Sequence, residues 1–131
     1  MSNILRFAVL IFGVAMFSGA AVQAQVESKT YTIFFTSQAA NVTTEADEVL
    51  VLASNYALQG AKGIDIMGHA DTAENAPSKL SLLRAKNVAE ALHRHGLPKS
   101  VVVVTKGVGT AELAVPTGHS TLNRTVTIVI H

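Results

Sequence analysis

The chain has 131 residues, a single-domain length, and carries ten Lys and Arg against nine Asp and Glu, a formal net charge of +1. It has no cysteine, which excludes disulfides, thiolate metal sites and a lipid-modified N-terminal Cys. So near a charge balance also argues against a nucleic-acid binder, which needs a basic stripe to displace counterions.

The first 24 residues read as a secretory signal peptide. Arg6 supplies the positive start, Phe7 to Val22 an apolar run, and Val22-Gln23-Ala24 a small-residue cleavage site. Cleavage there removes only Arg6 among the charged residues and leaves the mature chain formally neutral. The expectation is a periplasmic protein, residues 25–131, with no membrane span after cleavage. If the signal is retained, the alternative is an inner-membrane anchor.

The elements follow in order. YTIFF (31–35) has the β-branched and aromatic content of a strand. Thr44-Glu45-Ala46-Asp47 resembles a capping box, and Val49, Leu50, Leu52, Ala53, Tyr56 and Ala57 continue at helical spacing. This predicts a helix over 44–59, with Gly60 just past its end. GIDIM (63–67) is a second strand. Pro77 and Ser78 suit a helix start, and Ala85, Val88, Ala89 and Leu92 form a core stripe ended by Gly96-Leu97-Pro98. VVVVT (101–105) and TVTIVI (125–130) are strands whose apolar runs predict burial on both faces. A long Gly- and Pro-marked connection joins them. The alternation predicts an α/β fold, a two-layer α+β arrangement of order β-α-β-α-β-β. Its mixed sheet would carry both helices on one face.

Chemistry concentrates between the second strand and the second helix. Asp71 follows the carboxyl end of a strand, where open α/β sheets present ligands. Arg84 lies roughly 80° from the centre of its helix's apolar stripe, on the flank of the buried face. The pair suits either of two roles. One is a structural salt bridge. The other is a clamp for a zwitterion, with Asp71 on the ammonium and Arg84 plus the helix N-terminus on the carboxylate.

Other signals are weaker. Gly107-Val108-Gly109 follows a strand, but Glu112 stands where a dinucleotide fingerprint needs a third glycine. The five histidines do not cluster: His93 and His95 suit a helix C-terminal turn, His119 is in a loop, and His131 is terminal. His69 is read as positioning the Asp71 loop, not as a metal ligand. There is no G-x-S-x-G elbow and no convergent catalytic set. Neither an enzyme, nor a metal site, nor a cofactor is expected.

Several motifs together carry a family resemblance. They are Gly68-His69-Ala70-Asp71, Leu80-Ser81-x-x-Arg84-Ala85, the Gly96-Leu97 helix exit, Gly107-x-Gly109 with Pro116, and Asn123-Arg124 leading into 126–130. In these, nearly the whole chain after the signal resembles the OmpA C-terminal-like domain, the peptidoglycan-binding module of Gram-negative envelopes. The resemblance implies that Asp71 and Arg84 hold the amino and carboxylate groups of diaminopimelate in the wall's stem peptide. It adds Asn123 and Arg124 to the peptidoglycan-binding set, with Asn75 as the replacement for an amide that the family's loop carries. Two departures accompany it. The loop after Asp71 is about two residues shorter than the family pattern and has Asn75-Ala76-Pro77 in place of a Gly and a Tyr-Asn pair. The usual Asn-Arg-Arg is Asn123-Arg124-Thr125, one guanidinium fewer. These departures motivate an alternative: a periplasmic protein-interaction module, with an envelope protein partner, that keeps the fold and has lost wall binding.

Overall fold

The computed structural model describes residues 26–116 and 118–131. The segment read as an export signal lies outside them. The order of elements is β1 (Lys29–Phe34), α1 (Thr44–Ala57), β2 (Gly63–Gly68), α2 (Pro77–Arg94), β3 (Val102–Gly107) and β4 (Thr125–Ile130). A single turn of 3-10 helix, Thr121–Asn123, precedes β4. Each expected strand and helix is present, with ends that coincide or shift by one or two residues.

The strands form one sheet in the order β1-β4-β2-β3. β4 runs antiparallel to both neighbours, pairing Ile33 with Val126 and Ile66 with Ile128. β2 and β3 are parallel, as their joining helix requires. The last strand therefore inserts between the first two. Both helices lie on one face, where Ile33, Ile64, Ile66, Val126, Ile128 and Ile130 meet Leu50, Ala53, Val88 and Leu92 in a fully buried core.

Two expectations need correction. β3 is not buried on both faces. It is an edge strand beside β2 alone, and Val102 and Val104 are 64% and 53% exposed on the side away from the helices. A β-branched run secures the extended backbone but not its place in the sheet. The cap of α1 is Thr43, not Thr44: its side-chain oxygen accepts from the Ala46 N–H at 3.2 Å. The end of α2 follows its sequence closely. Gly96 has φ +98°, its N–H bonds to the His93 carbonyl, and the Leu97 N–H reaches back to Leu92, a Schellman close with Leu97 buried beneath it.

The start of α2 sets the site. Glycine lets this helix lie directly on the strand ends. A Cβ on Gly68 would stand 1.9 Å from the Ser81 carbonyl oxygen, and one on Gly107 would stand 2.4 Å from the Leu82 nitrogen. The buried Ser81 hydroxyl adds a polar link, donating to the Ser78 carbonyl and accepting from the Gly109 N–H at 2.9 Å. This fixes the first turns of α2, and so Arg84, against the carboxyl ends of β2 and β3.

Candidate functional site

The loop from His69 to Ala76 crosses the end of the sheet between two other loops. On one side is the β1–α1 connection, on the other the segment that precedes β4. Gln38, with φ +62°, bonds three times to the crossing loop. Its N–H donates to Glu74 Oε2 at 2.8 Å, its side-chain oxygen accepts from the Asn75 N–H, and its amide reaches the Ala73 carbonyl. Gly118 packs against Thr72 and Ala73 from the opposite side, where a Cβ would lie 2.9 Å from the Thr72 hydroxyl.

Arg84 is fully buried, deeper than its helical flank position implied. A guanidinium has five N–H donors, and a buried one must place them all. Here every one is used. Nε donates to the Ala39 carbonyl at 2.8 Å. Nη1 donates to the His69 carbonyl at 3.0 Å and to Glu74 Oε1 at 2.8 Å. Nη2 donates to the Thr36 carbonyl at 3.2 Å and to Glu74 Oε2. The plane of charge also lies 5.2 Å from the centre of the buried Phe35 ring.

Glu74 is therefore the ion-pair partner of Arg84, and Asp71 is not. Its two oxygens receive four donors: both arms of the Arg84 fork, the Asp71 N–H at 2.9 Å and the Gln38 N–H. Burial would raise the pKa of Glu74, but the Arg84 hydrogen bonds, the Asp71 and Gln38 amides and the Arg84 charge hold it below its ordinary value.

Asp71 is also fully buried. Its carboxylate turns toward the segment before β4, accepting from the Ser120 N–H at 2.8 Å and the Asn123 side-chain amide at 3.3 Å. Burial again pushes upward, and is outweighed by the Ser120 amide, the Asn123 side chain and the amides of Thr72 and His119. The carboxyl is held ionised.

The fold thus gathers Asp71 and Arg84 at one end of the sheet, with Glu74 bridging the Arg84 guanidinium and the Asp71 backbone. Asp71 and Arg84 do not pair with each other directly; with Glu74 they form a closed cluster. Asn123 belongs to it and clasps Val115 as well, donating to its carbonyl at 2.7 Å and accepting from its N–H at 2.9 Å. Arg124 donates to the Phe35 carbonyl and to the Thr121 hydroxyl, bracing the residue just past β1 whose ring lies beneath Arg84. Asn75 is exposed, and its backbone N–H donates to the Gln38 side chain. His69 serves by its backbone, accepting from Arg84 and donating to the Thr125 carbonyl. A broad open cavity of about 790 Å³ lies elsewhere, between α2 and β3 around Lys86, Arg94 and Lys99.

Glu74, Ser81 and Gln38 were missed as site residues in the sequence. The sequence marks Glu74 only as the second acid of the loop after β2, ten residues before a helix-flank Arg. Among the described residues no group of three or more His, Cys, Asp or Glu could hold a metal ion, and no helix is long and apolar enough to cross a membrane.

The fold has known counterparts. The peptidoglycan-associated lipoprotein from Burkholderia pseudomallei is similar at 20% identity with a TM-score of 0.66, covering 76% of this chain and 89% of that one. The OmpA-like domain of FopA1 from Francisella tularensis is similar at 18% identity with a TM-score of 0.67, covering 83% and 75%. The periplasmic domain of Helicobacter pylori MotB is similar at 14% identity with a TM-score of 0.67, covering 82% and 78%. No curated protein matches the sequence. The sequence model of the OmpA family matches residues 34–125, from the end of β1 to the start of β4, and the chain belongs to that family.

Proposed function

We propose that this domain docks non-covalently on peptidoglycan in the periplasm, exported by its N-terminal signal, with Asp71 and Arg84 receiving the ammonium and carboxylate of diaminopimelate in the stem peptide. The observation that carries this reading is the buried charge cluster at the carboxyl ends of β2 and β3, where open sheets present ligands. Burying an ion pair gives little net stability, since apolar residues of equal volume do as well or better. A cluster of two acids and a guanidinium kept at this edge is better explained by recognition than by folding. The fold shared with a peptidoglycan-associated lipoprotein supports the same reading.

The chemistry is binding without catalysis. A general acid or base works with a pKa near the operating pH. Asp71 and Glu74 are both held ionised at neutral pH, the state that serves ion recognition. Asn75, Asn123 and Arg124 support the site, Asn123 by holding Asp71 and Arg124 through Phe35.

The second reading, a protein-interaction module without wall affinity, is favoured by one feature: Arg84 has no donor left for a guest. Cosedimentation with purified sacculi separates the two. Wall binding predicts that the wild type pellets with sacculi, and that Asp71→Asn, folded by circular dichroism, loses at least about tenfold in affinity, the scale of one charge-assisted contact. Equal pelleting of both would put the wall contact elsewhere. No pelleting by either supports the protein-interaction reading.

A further inference from the structure

We infer that the Arg84 site is a carboxylate receptor already filled by the chain's own Glu74, so that an external carboxylate binds only by displacing residues 73–75, the part of the loop that carries this side chain. The inference deepens the wall-binding reading and rests on it for the identity of the guest, but the receptor can be tested without the wall.

The cradle is complete. Four donors from three separate segments converge on one carboxylate: Arg84 Nη1 and Nη2 from α2, the Asp71 N–H from the anchored first part of the loop after β2, and the Gln38 N–H from the β1–α1 loop. None depends on the rest of the glutamate. Any carboxylate in that position, whatever its substituent, would receive the same four bonds.

The occupant is held mainly by its head group. Thr72, Ala73, Asn75 and Ala76 are all exposed. Apart from the carboxylate, residues 73–75 are tied by the Glu74 N–H to the Asp71 carbonyl and by two exposed bonds to the Gln38 side chain, one of them 3.4 Å long, whereas His69, Ala70 and Asp71 are anchored separately to Thr125, Gly109 and Ser120. At its far end Ala76 sits at φ +45°, a left-handed conformation that residues other than glycine disfavour and that a following proline disfavours further. The hinge is strained when the loop is closed.

Tethering also sets selectivity. Glu74 competes at the effective concentration of an attached group, so a monovalent carboxylate at low concentration does not displace it. A guest that also offers an ammonium to Asp71 makes a second contact that Glu74 cannot match. A zwitterion is thereby favoured over a simple acid.

Glu74→Ala empties the cradle. Thermal unfolding and amide NMR are then followed in sodium acetate and in sodium chloride at equal ionic strength. The expected result is a saturable, acetate-specific rise in melting temperature with shifts at the Asp71 and Gln38 amides, in Glu74→Ala and not in wild type. If Glu74→Ala is unfolded in chloride, the expected result is recovery of the fold in acetate. Absence of an acetate-specific effect, or an equal effect in wild type, overturns the inference. Glu74→Gln keeps the shape and removes the charge. It should raise affinity for sacculi by at least about threefold, because less of the population is self-occupied. Acetate rescue with no variant binding sacculi leaves the receptor standing and defeats the wall reading. Arg84-dependent sacculus binding that Glu74→Gln leaves unchanged, without acetate rescue, defeats the receptor and leaves the wall reading.

Discussion

Asp71, Glu74 and Arg84 are buried together, and the balance of two acids against one guanidinium has a consequence in acid. The two carboxyl groups have ordinary values near 3.8 and 4.5, and both are held lower in the fold. As pH falls, the unfolded chain takes up protons first. The stability these groups contribute is therefore complete above about pH 5.5, begins to fall near the ordinary values, and is gone once the folded-state values are passed. Urea midpoints measured from pH 7 to pH 3 should decline at the acid end, and Glu74→Gln should flatten part of that decline. An identical acid slope in the variant would mean that Glu74 is not held below its ordinary value. Residue identity at this site was unevenly legible in the sequence. Asp71 announces itself by following a strand, and Arg84 by its helical angle and its motif. Glu74 does not. Its role depends on a loop conformation set by Gln38 and Gly118, dozens of residues away, and no local period encodes that.

At the scale of elements, the site depends on how closely α2 approaches the sheet. Helix and strand backbones touch at Gly68 and Gly107, which no other residue type permits without movement. Gly68→Ala would drive a methyl group into the Ser81 carbonyl and push out the turn that carries Arg84. The expected loss is about 1–3 kcal/mol, the usual range for overpacking, read as a lower urea midpoint at unchanged m-value. A variant as stable as wild type would show that α2 can shift freely on the sheet. The helix ends show where local sequence is sufficient. Gly96-Leu97 closes α2 as written, because the left-handed turn and its apolar partner are adjacent in the chain. At the start of α1, two neighbouring threonines offer the same hydroxyl, and tertiary context selects Thr43. The start of α2 has no side-chain cap at all. Ala76 takes a strained conformation there, which the sequence marks only by the proline that follows.

For the molecule as a whole, alternation of strands and helices was enough to read a two-layer domain with both helices on one face. It was not enough to order the sheet. β4 is the most apolar strand and takes a central place between β1 and β2, which leaves β3, itself rich in β-branched residues, at an edge with two valines exposed. That insertion has a functional side. The long connection must travel back across the end of the sheet to reach β4, and in doing so it brings Ser120 and Asn123 onto Asp71. The charge cluster is thus assembled from three loops that meet only because of strand order. The central claim is that this meeting point takes a free amino-acid end of the wall. Its most direct test is titration of the isotopically labelled domain with a soluble stem peptide containing diaminopimelate, and with the same peptide carrying lysine in its place. Binding at this site predicts saturable amide shifts centred on residues 69–76 and 119–124, with the lysine peptide, which lacks the second carboxylate, weaker by at least about tenfold. Equal response to both peptides, or shifts confined to other surfaces, would contradict it.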